Sequence, residues 1–412
     1  MIQVQNKNLL KVYKDEMYAE LNDILSYWSS NTCDAVNGGF VGRIDENNIK
    51  YADAPKGAVL NSRILWSFSA AYSITKNEEH LHLARTAFNY LVSNFIDKEY
   101  GGVYWLLNAD GTPLDSKKQV YAIAFAVYGC CAYFNACNAE AARDTAIQLY
   151  NIIEQYSCDE KNTGYLEAFT RDWKEIDDLR LSKKDANEKK TMNTHLHILE
   201  AYTLLYHIWP NALLKEKIAL LINNFSEYIV DKNNHHLMLF FDEQWNPKST
   251  TISYGHDIEA AWLLQEAADA INELPIINIT KNIAVKITNA AAQGLDRDGS
   301  LWYEYEPSKN HFIKEKHWWV QAEAMVGFFN CWQITGNEVY LNRSVKSWQF
   351  AKASIKDRQF GEWFWGRNED GTIMQGQDKV GVWKCPYHNS RACIEIFNRI
   401  TGIINSIEYQ IT

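Results

Sequence analysis

The chain has 412 residues, and 41 Lys plus Arg against 51 Asp plus Glu give a formal charge of −10. That balance excludes a protein built to grip nucleic acid, which needs clustered positive charge. Hydrophobic residues at 47% and charged residues at 22% exclude a disordered chain, and 15 Trp, 23 Tyr and 17 Phe against 7 Pro favour long helices around a large core.

In chain order, Met1–Asp15 is polar and lacks the apolar stretch of a signal peptide, so a cytoplasmic protein is expected. A leading helix is predicted near Leu9–Trp28. At Asp34 begins DAVNGGFVGRI, the first of six similar segments. Each has an Asp, a short turn and an aromatic-rich extended stretch. The others read DKEYGGVYWLL from Asp97, DEKNTGYLEAF from Asp159, DKNNHHLMLFF from Asp231, DRDGSLWYEY from Asp296 and DRQFGEWFWGR from Asp357. A repeat of about 65 residues accounts for nearly the whole chain.

Two helical patterns lie between successive segments. Val59–Thr75 is mostly apolar and reads as an inner helix. Glu78–Ile96 mixes charged and apolar residues at 3- and 4-residue spacing, as a half-exposed outer helix does. Further inner helices are predicted to start near Lys118, Thr191, Ser253, Lys316 and Pro386. The longest apolar run, Val120–Phe134, is shorter than the ~20 residues that span a bilayer, so it reads as a buried helix and no membrane partner is expected. The eight Cys show no C-x-x-C pair and no regular spacing, which argues against a disulfide framework. No Gly/Pro/Ser-rich linker divides the chain. The reading is one all-α domain over residues 1–412, an (α/α)6 barrel in which six helical hairpins close into a toroid. An open solenoid is the alternative, but the size of each repeat and its β-like connection favour closure. A monomer is expected.

The first two turns of the six inner helices carry the chemistry. They hold Arg63; Tyr121 and Phe125; Asn193 and His197; His256, Glu259 and Trp262; Trp319 and Glu323; His388 and Arg391. Members three or four apart share a helix face, and in a barrel of parallel inner helices all converge on one mouth. A helix N-terminus disfavours imidazolium and lowers a His pKa. A lone His on an apolar helix is ordinarily a hydrogen-bonded core residue, and a Trp is ordinarily core. Three His at equivalent repeat positions are hard to explain as packing. Glu259 lies one turn from His256 and is expected to support it. His195 and His197, two apart, point to opposite faces. The run KKDANEKK, Lys183–Lys190, reads as a solvated loop with Asp185 within reach of the cavity. No H-E-x-x-H, Cys/His cluster, phosphate loop or G-x-S-x-G elbow is present, so neither a metal nor another cofactor is expected.

The segments NTHLHILEAYT (193–203), YGHDIEAAWLL (254–264), KHWWVQAEAMVGF (316–328) and KCPYHNSRACIEI (384–396) resemble the N-acylglucosamine 2-epimerase superfamily, and within it the disaccharide epimerases. NSRILWSFSAAY (61–72) and GEWFWG (361–366) fit it too. The resemblance implies an (α/α)6 barrel and cofactor-free interconversion of glucose and mannose at the reducing end of a β-1,4-linked disaccharide: cellobiose to glucosylmannose, lactose to epilactose. It implies His256 and His388 as the acid/base pair, His197 as a third catalytic histidine and Arg63 beside the reacting oxygens. It implies Glu259 and Glu323 as carboxylates that orient histidines or bind hydroxyls. Trp319 and Trp383 become the stacking aromatics, and Tyr121, Asp185, Asn193 and Trp262 complete the pocket.

The residue types suit that reaction independently. Opening the sugar ring places the C2 hydrogen α to an aldehyde. Removing it gives an enediolate, and returning a proton to the opposite face inverts C2. His, with an unperturbed pKa of about 6.5, suits both transfers. Rival expectations are a mannose 2-epimerase or aldose–ketose isomerase on the same scaffold, a non-catalytic relative, and an (α/α)6 glycoside hydrolase, which needs a pair of working carboxylates.

Overall fold

In the computed structural model, which describes residues 5–409, twelve α-helices form six hairpins. The first four residues of the polar N-terminal segment and residues 410–412 lie outside the described part. The helices are α1 (Gln5–Asn31), α2 (Ala58–Thr75), α3 (Glu78–Tyr90), α4 (Val120–Cys137), α5 (Glu140–Tyr156) and α6 (Met192–Ile208). They continue with α7 (Ala212–Asn224), α8 (Tyr254–Ile271), α9 (Leu274–Ala291), α10 (Trp318–Thr335), α11 (Glu338–Phe350) and α12 (Tyr387–Tyr409). The even-numbered helices pack in a closed ring, α2 on α4, α4 on α6, and so on until α12 returns to α2. The long leading helix α1 packs on α12 and completes the outer layer. It extends beyond the predicted Leu9–Trp28 at both ends.

Inner helices are apolar on most sides because neighbours cover most sides. α4 is the extreme case. It runs three residues past the predicted Phe134, and among the described residues it is the one helix long and apolar enough to cross a membrane. Here it is an inner stave, with Val120 to Tyr133 buried. The hairpins turn tightly. Lys76, Asn138, Asn272 and Gly336 end inner helices in the left-handed conformation. Asn77, Asn211 and Asn337 then cap the next outer helix by accepting its free backbone N–H groups. The predicted Glu78–Ile96 helix ends early as α-helix. Leu91–Phe95 forms a π-turn that buries both Leu91 and Phe95, and α7 and α11 end in the same way.

The six Asp segments all connect an outer helix to the next inner one. A β-bridge closes each turn: Cys33–Phe40, Ile96–Val103, Cys158–Tyr165, Val230–Leu237, Leu295–Leu301 and Lys356–Trp363. In most of them the Asp carboxylate accepts the backbone N–H groups two and three residues ahead, as Asp97 does from Glu99 and Tyr100. A buried lysine on the strand before the inner helix then neutralises it: Lys56 on Asp34, Lys118 on Asp97, Lys190 on Asp159 and Lys379 on Asp357. Lys316 does the same for Asp296. The unit at Asp231 replaces the lysine with a bond between His236 and Asp257. Short antiparallel ladders link each unit to the next, and the pairing of 44–45 with 378–380 joins first to last. These ladders sit at the N-terminal ends of the inner helices, so the mouth above those ends is walled by ordered backbone. All eight cysteines are free.

Candidate active site

The inner helices converge on a cavity of about 460 Å3. Arg63, Tyr121, Asn193, His197, His256, Glu259, Trp319 and His388 line it from six different helices, with Trp383 and Asp185 supplied by loops. Its floor depends on one glycine. A Cβ on Gly255 would lie 2.5 Å from the Trp319 ring, so only glycine lets that indole lie against the start of α8. Trp319 thereby contacts both candidate bases, with ring centroids 4.8 Å from His256 and 5.8 Å from His388.

The three histidines differ in their partners. His388 Nδ1 and Glu323 Oε1 share a hydrogen bond of 2.7 Å. His197 Nδ1 and Glu200 Oε2 share one of 2.8 Å. His256 Nδ1 meets the Ser253 hydroxyl at 2.8 Å. In each case the Nδ1 contact fixes the ring and leaves Nε2 for other work. Burial pushes His256 down to about 3. Burial, reinforced by Arg63 and Arg391, holds His388 well below the ordinary imidazole value. His197 is lowered by burial despite its carboxylate.

Beneath these rings lies one guanidinium among three carboxylates. Arg391 bonds to Glu200, to Glu259 at 2.5 Å and to Glu323 at 2.6 Å. Tyr387 also bonds to Glu200. Burial would raise Glu200, but Arg391 and His197 bring it down to about 2. Burial pushes Glu259 and Glu323 up, and Arg391 only partly offsets it. One cation cannot fully neutralise three buried anions. Donor atoms of Glu259, Glu323 and His388 lie within 4.8 Å of one another, a spacing that would suit an ion. The Arg391 guanidinium already bonds to both of these carboxylates.

Arg63 is the opposite case, a cation with no anion. It is 3% exposed. Its Nη2 donates to the Tyr121 hydroxyl at 2.8 Å and its Nη1 to the Cys385 sulfur at 3.8 Å. Its flat face lies over Phe125 at 4.1 Å and Tyr387 at 4.7 Å. Its Nε has no partner, and among the described residues no carboxylate comes within ion-pair distance.

The profile of the N-acylglucosamine 2-epimerase (GlcNAc 2-epimerase) family matches residues 38–392. The chain belongs to this family. A cellobiose 2-epimerase from Bacteroides fragilis is 48% identical over 387 residues, 94% of this chain and 99% of that protein. The solved structure of cellobiose 2-epimerase from Spirochaeta thermophila aligns with a TM-score of 0.92 at 36% identity, covering 98% of this chain and 100% of that one. A D-mannose isomerase from Marinomonas mediterranea is 25% identical, over 90% of this chain and 93% of that protein.

Within this epimerase-family site, three sequence expectations need correction. Trp262 does not line the cavity: it is 1% exposed, and its Nε1 donates to Glu323 at 3.0 Å. Glu323 likewise sits behind His388 rather than in the pocket. Glu259 does not support His256, because its carboxylate turns to Arg391 and lies 3.9 Å from His388 Nδ1. Ser253 takes the place beside His256. His195 points away from the cavity, as its spacing from His197 requires, and accepts the Tyr165 backbone N–H at 2.9 Å. Asp185 does reach the cavity; its carboxylate accepts the Ser182 N–H at 2.8 Å, and burial raises its pKa.

Sequence reasoning missed Glu200, Ser253, Tyr303, His317, Trp318, Trp365 and Gln377. Glu200 and Ser253 were each three residues from a named histidine, which is a usable signal. The cavity opens along two branches. One, of about 410 Å3, runs past Trp105, Trp365, Gln377 and Trp383. The other, of about 610 Å3, is lined by charged groups including Glu304, Glu306, Lys184 and Lys248. A separate groove of about 520 Å3 beside α1, lined by Glu20, Asp23 and Lys356, lacks histidine.

Proposed function

We propose that this enzyme epimerises C2 of the reducing-end glucose of β-1,4-linked disaccharides, taking cellobiose to glucosylmannose and lactose to epilactose, without a cofactor. The observation that carries the reading is the buried, anion-free Arg63 facing the same cavity as three histidines held neutral. A neutral sugar enters without opposing charge. The enediolate that forms at C1 and C2 is the anion Arg63 lacks, so the attraction is strongest where the barrier is highest.

His197 and Arg63 attend the ring oxygen and O1 while the sugar opens. In one direction His256, neutral, takes the C2 proton through Nε2. The His388–Glu323 pair holds a proton between its two groups and delivers it through the His388 ring to the opposite face of C2. In the reverse direction the two sides exchange roles. The proton count balances, since one side gains what the other loses, and exchange with water resets the pair. The carbonyl acidifies C2, so no redox carrier takes part. Glu259 and Glu323 are both engaged by Arg391, which argues against a hydrolase that needs free acid and nucleophile carboxylates.

The reaction run in D2O tests this directly. NMR should find deuterium at C2 of the epimerised sugar and an intact glycosidic bond. A ketose labelled at C1 as the main product would establish the isomerase instead, and free glucose the hydrolase.

The second sugar is assigned to the aromatic branch. Trp383 sits at its entrance, 5.7 Å from Trp105 and 6.1 Å from Tyr121, where an indole face covers the C–H face of a sugar. Trp383→Ala should raise KM for cellobiose by about tenfold, the loss of roughly 1.4 kcal/mol of contact, and change kcat less. Unchanged kinetics would move the second sugar to the charged branch.

A further inference from the structure

We propose that Arg391 is a positioning residue that joins the His197–Glu200 and His388–Glu323 pairs into one charge-coupled unit. Arg391 touches no part of the cavity and is 1% exposed. It nevertheless bonds to the carboxylate partner of each histidine: Glu200, which holds His197, and Glu323, which holds His388. Its second bond from Nη2, to Glu259, fixes a carboxylate that lines the cavity 3.9 Å from His388 Nδ1. The fork of the guanidinium suits this arrangement, since separate N–H groups reach separate carboxylates at set angles. Trp262 supports it from the side, with the cation 4.8 Å from its ring.

Charge makes the arrangement more than a scaffold. The groups facing His388 are Arg63 from α2, His197 and Glu200 from α6, Glu259 from α8, Glu323 from α10, and Tyr387 and Arg391 on its own helix. Arg391 is the cation shared by the three carboxylates. Removing it leaves them less neutralised, so the His388–Glu323 pair binds its proton more tightly. Removing one carboxylate does the reverse. Glu200 has no bond to His388 or Glu323, so an effect of Glu200 on that pair has to pass through Arg391 and the local field.

This inference rests on the epimerase reading, and the two fail differently. Four proteins are compared: wild type, Arg391→Met, Arg391→Lys and Glu200→Gln, each with Tm and with kcat and kcat/KM for cellobiose from acid to alkaline pH. Wild type forming no epimer would sink the reading itself. With wild type active, Arg391→Met should move the limb governed by the His388–Glu323 pair to higher pH by about one to three units, as expected for loss of a neighbouring cation. Arg391→Lys, which keeps the charge and loses the fork, should lower kcat with the limb close to wild type. Glu200→Gln, isosteric and expected to fold, should move that limb to lower pH. If Arg391→Met does not fold, the Lys and Gln variants decide the matter. Limbs that stay in place in every folded variant, with activity falling only in step with Tm, would overturn the proposal.

Discussion

Replacing His388 by Asn is expected to lower turnover of cellobiose by ~10²–10⁴-fold, and replacing His256 by Asn to do the same, the range for a positioned acid or base. Each loss corresponds to roughly 3–5 kcal/mol of barrier at 1.36 kcal/mol per decade. The double variant should lose little more than either single one, because one proton-transfer sequence uses both rings. The pH dependence follows from the surroundings. In the proposed mechanism His256 acts as a base in its neutral form, and burial pushes it down to about 3. The activity that depends on it should therefore persist as pH falls well below 6.5, and be lost only near that depressed value. The acid on the other side must hold its proton, so activity is lost as pH rises through the value of the His388–Glu323 pair. Glu259→Gln should disturb the His388 side, since Glu259 faces His388 and not His256. Steady-state rates across pH for wild type, the three histidine variants and Glu259→Gln check all of this. Full additivity of the two losses would mean that the rings act in separate steps.

The parts of this architecture that were legible in the sequence are those governed by local contacts. An Asp that caps its own turn repeats its neighbours' composition, so six turns announced six units. The polar residues at the start of each inner helix were legible for the same reason: repeat position placed them on one mouth. What stayed hidden depends on contacts between distant segments. Arg391 reaches Glu200, 191 residues away, and nothing in the spacing says that Glu323 lies behind His388 while Glu259 lines the pocket. The lysines that neutralise the turn carboxylates went unread, although one precedes each of five inner helices, because their pairing comes only with the ladder geometry. Trp262 read as a pocket residue because it shares a face with Glu259. One further turn along α8 carries it below the cavity floor, where its indole serves Glu323. The charged loop was legible as a loop, and Asp185 reaches inward with its carboxylate held by the Ser182 N–H.

Replacing Arg63 by Met should cost ~10²–10³-fold in kcat, the loss expected for a preorganised group facing a developing oxyanion. The split between constants is the sharper expectation. Cellobiose is neutral when it binds and anionic only once C2 has lost its proton, so kcat should fall far more than KM rises. Stability should move the other way. Arg63 is buried with no carboxylate partner, so its charge has lost water without gaining an ion pair. Its gains are the Tyr121 and Cys385 contacts and the faces of Phe125 and Tyr387. Met keeps most of the volume and removes the desolvated charge. The variant should therefore melt at the same temperature as wild type or above it while being nearly inactive. That combination marks a residue retained for chemistry at the expense of the fold. A Tm several degrees lower, with kcat and KM affected in equal measure, would show instead that the guanidinium holds the inner ring together and that the enediolate is stabilised elsewhere.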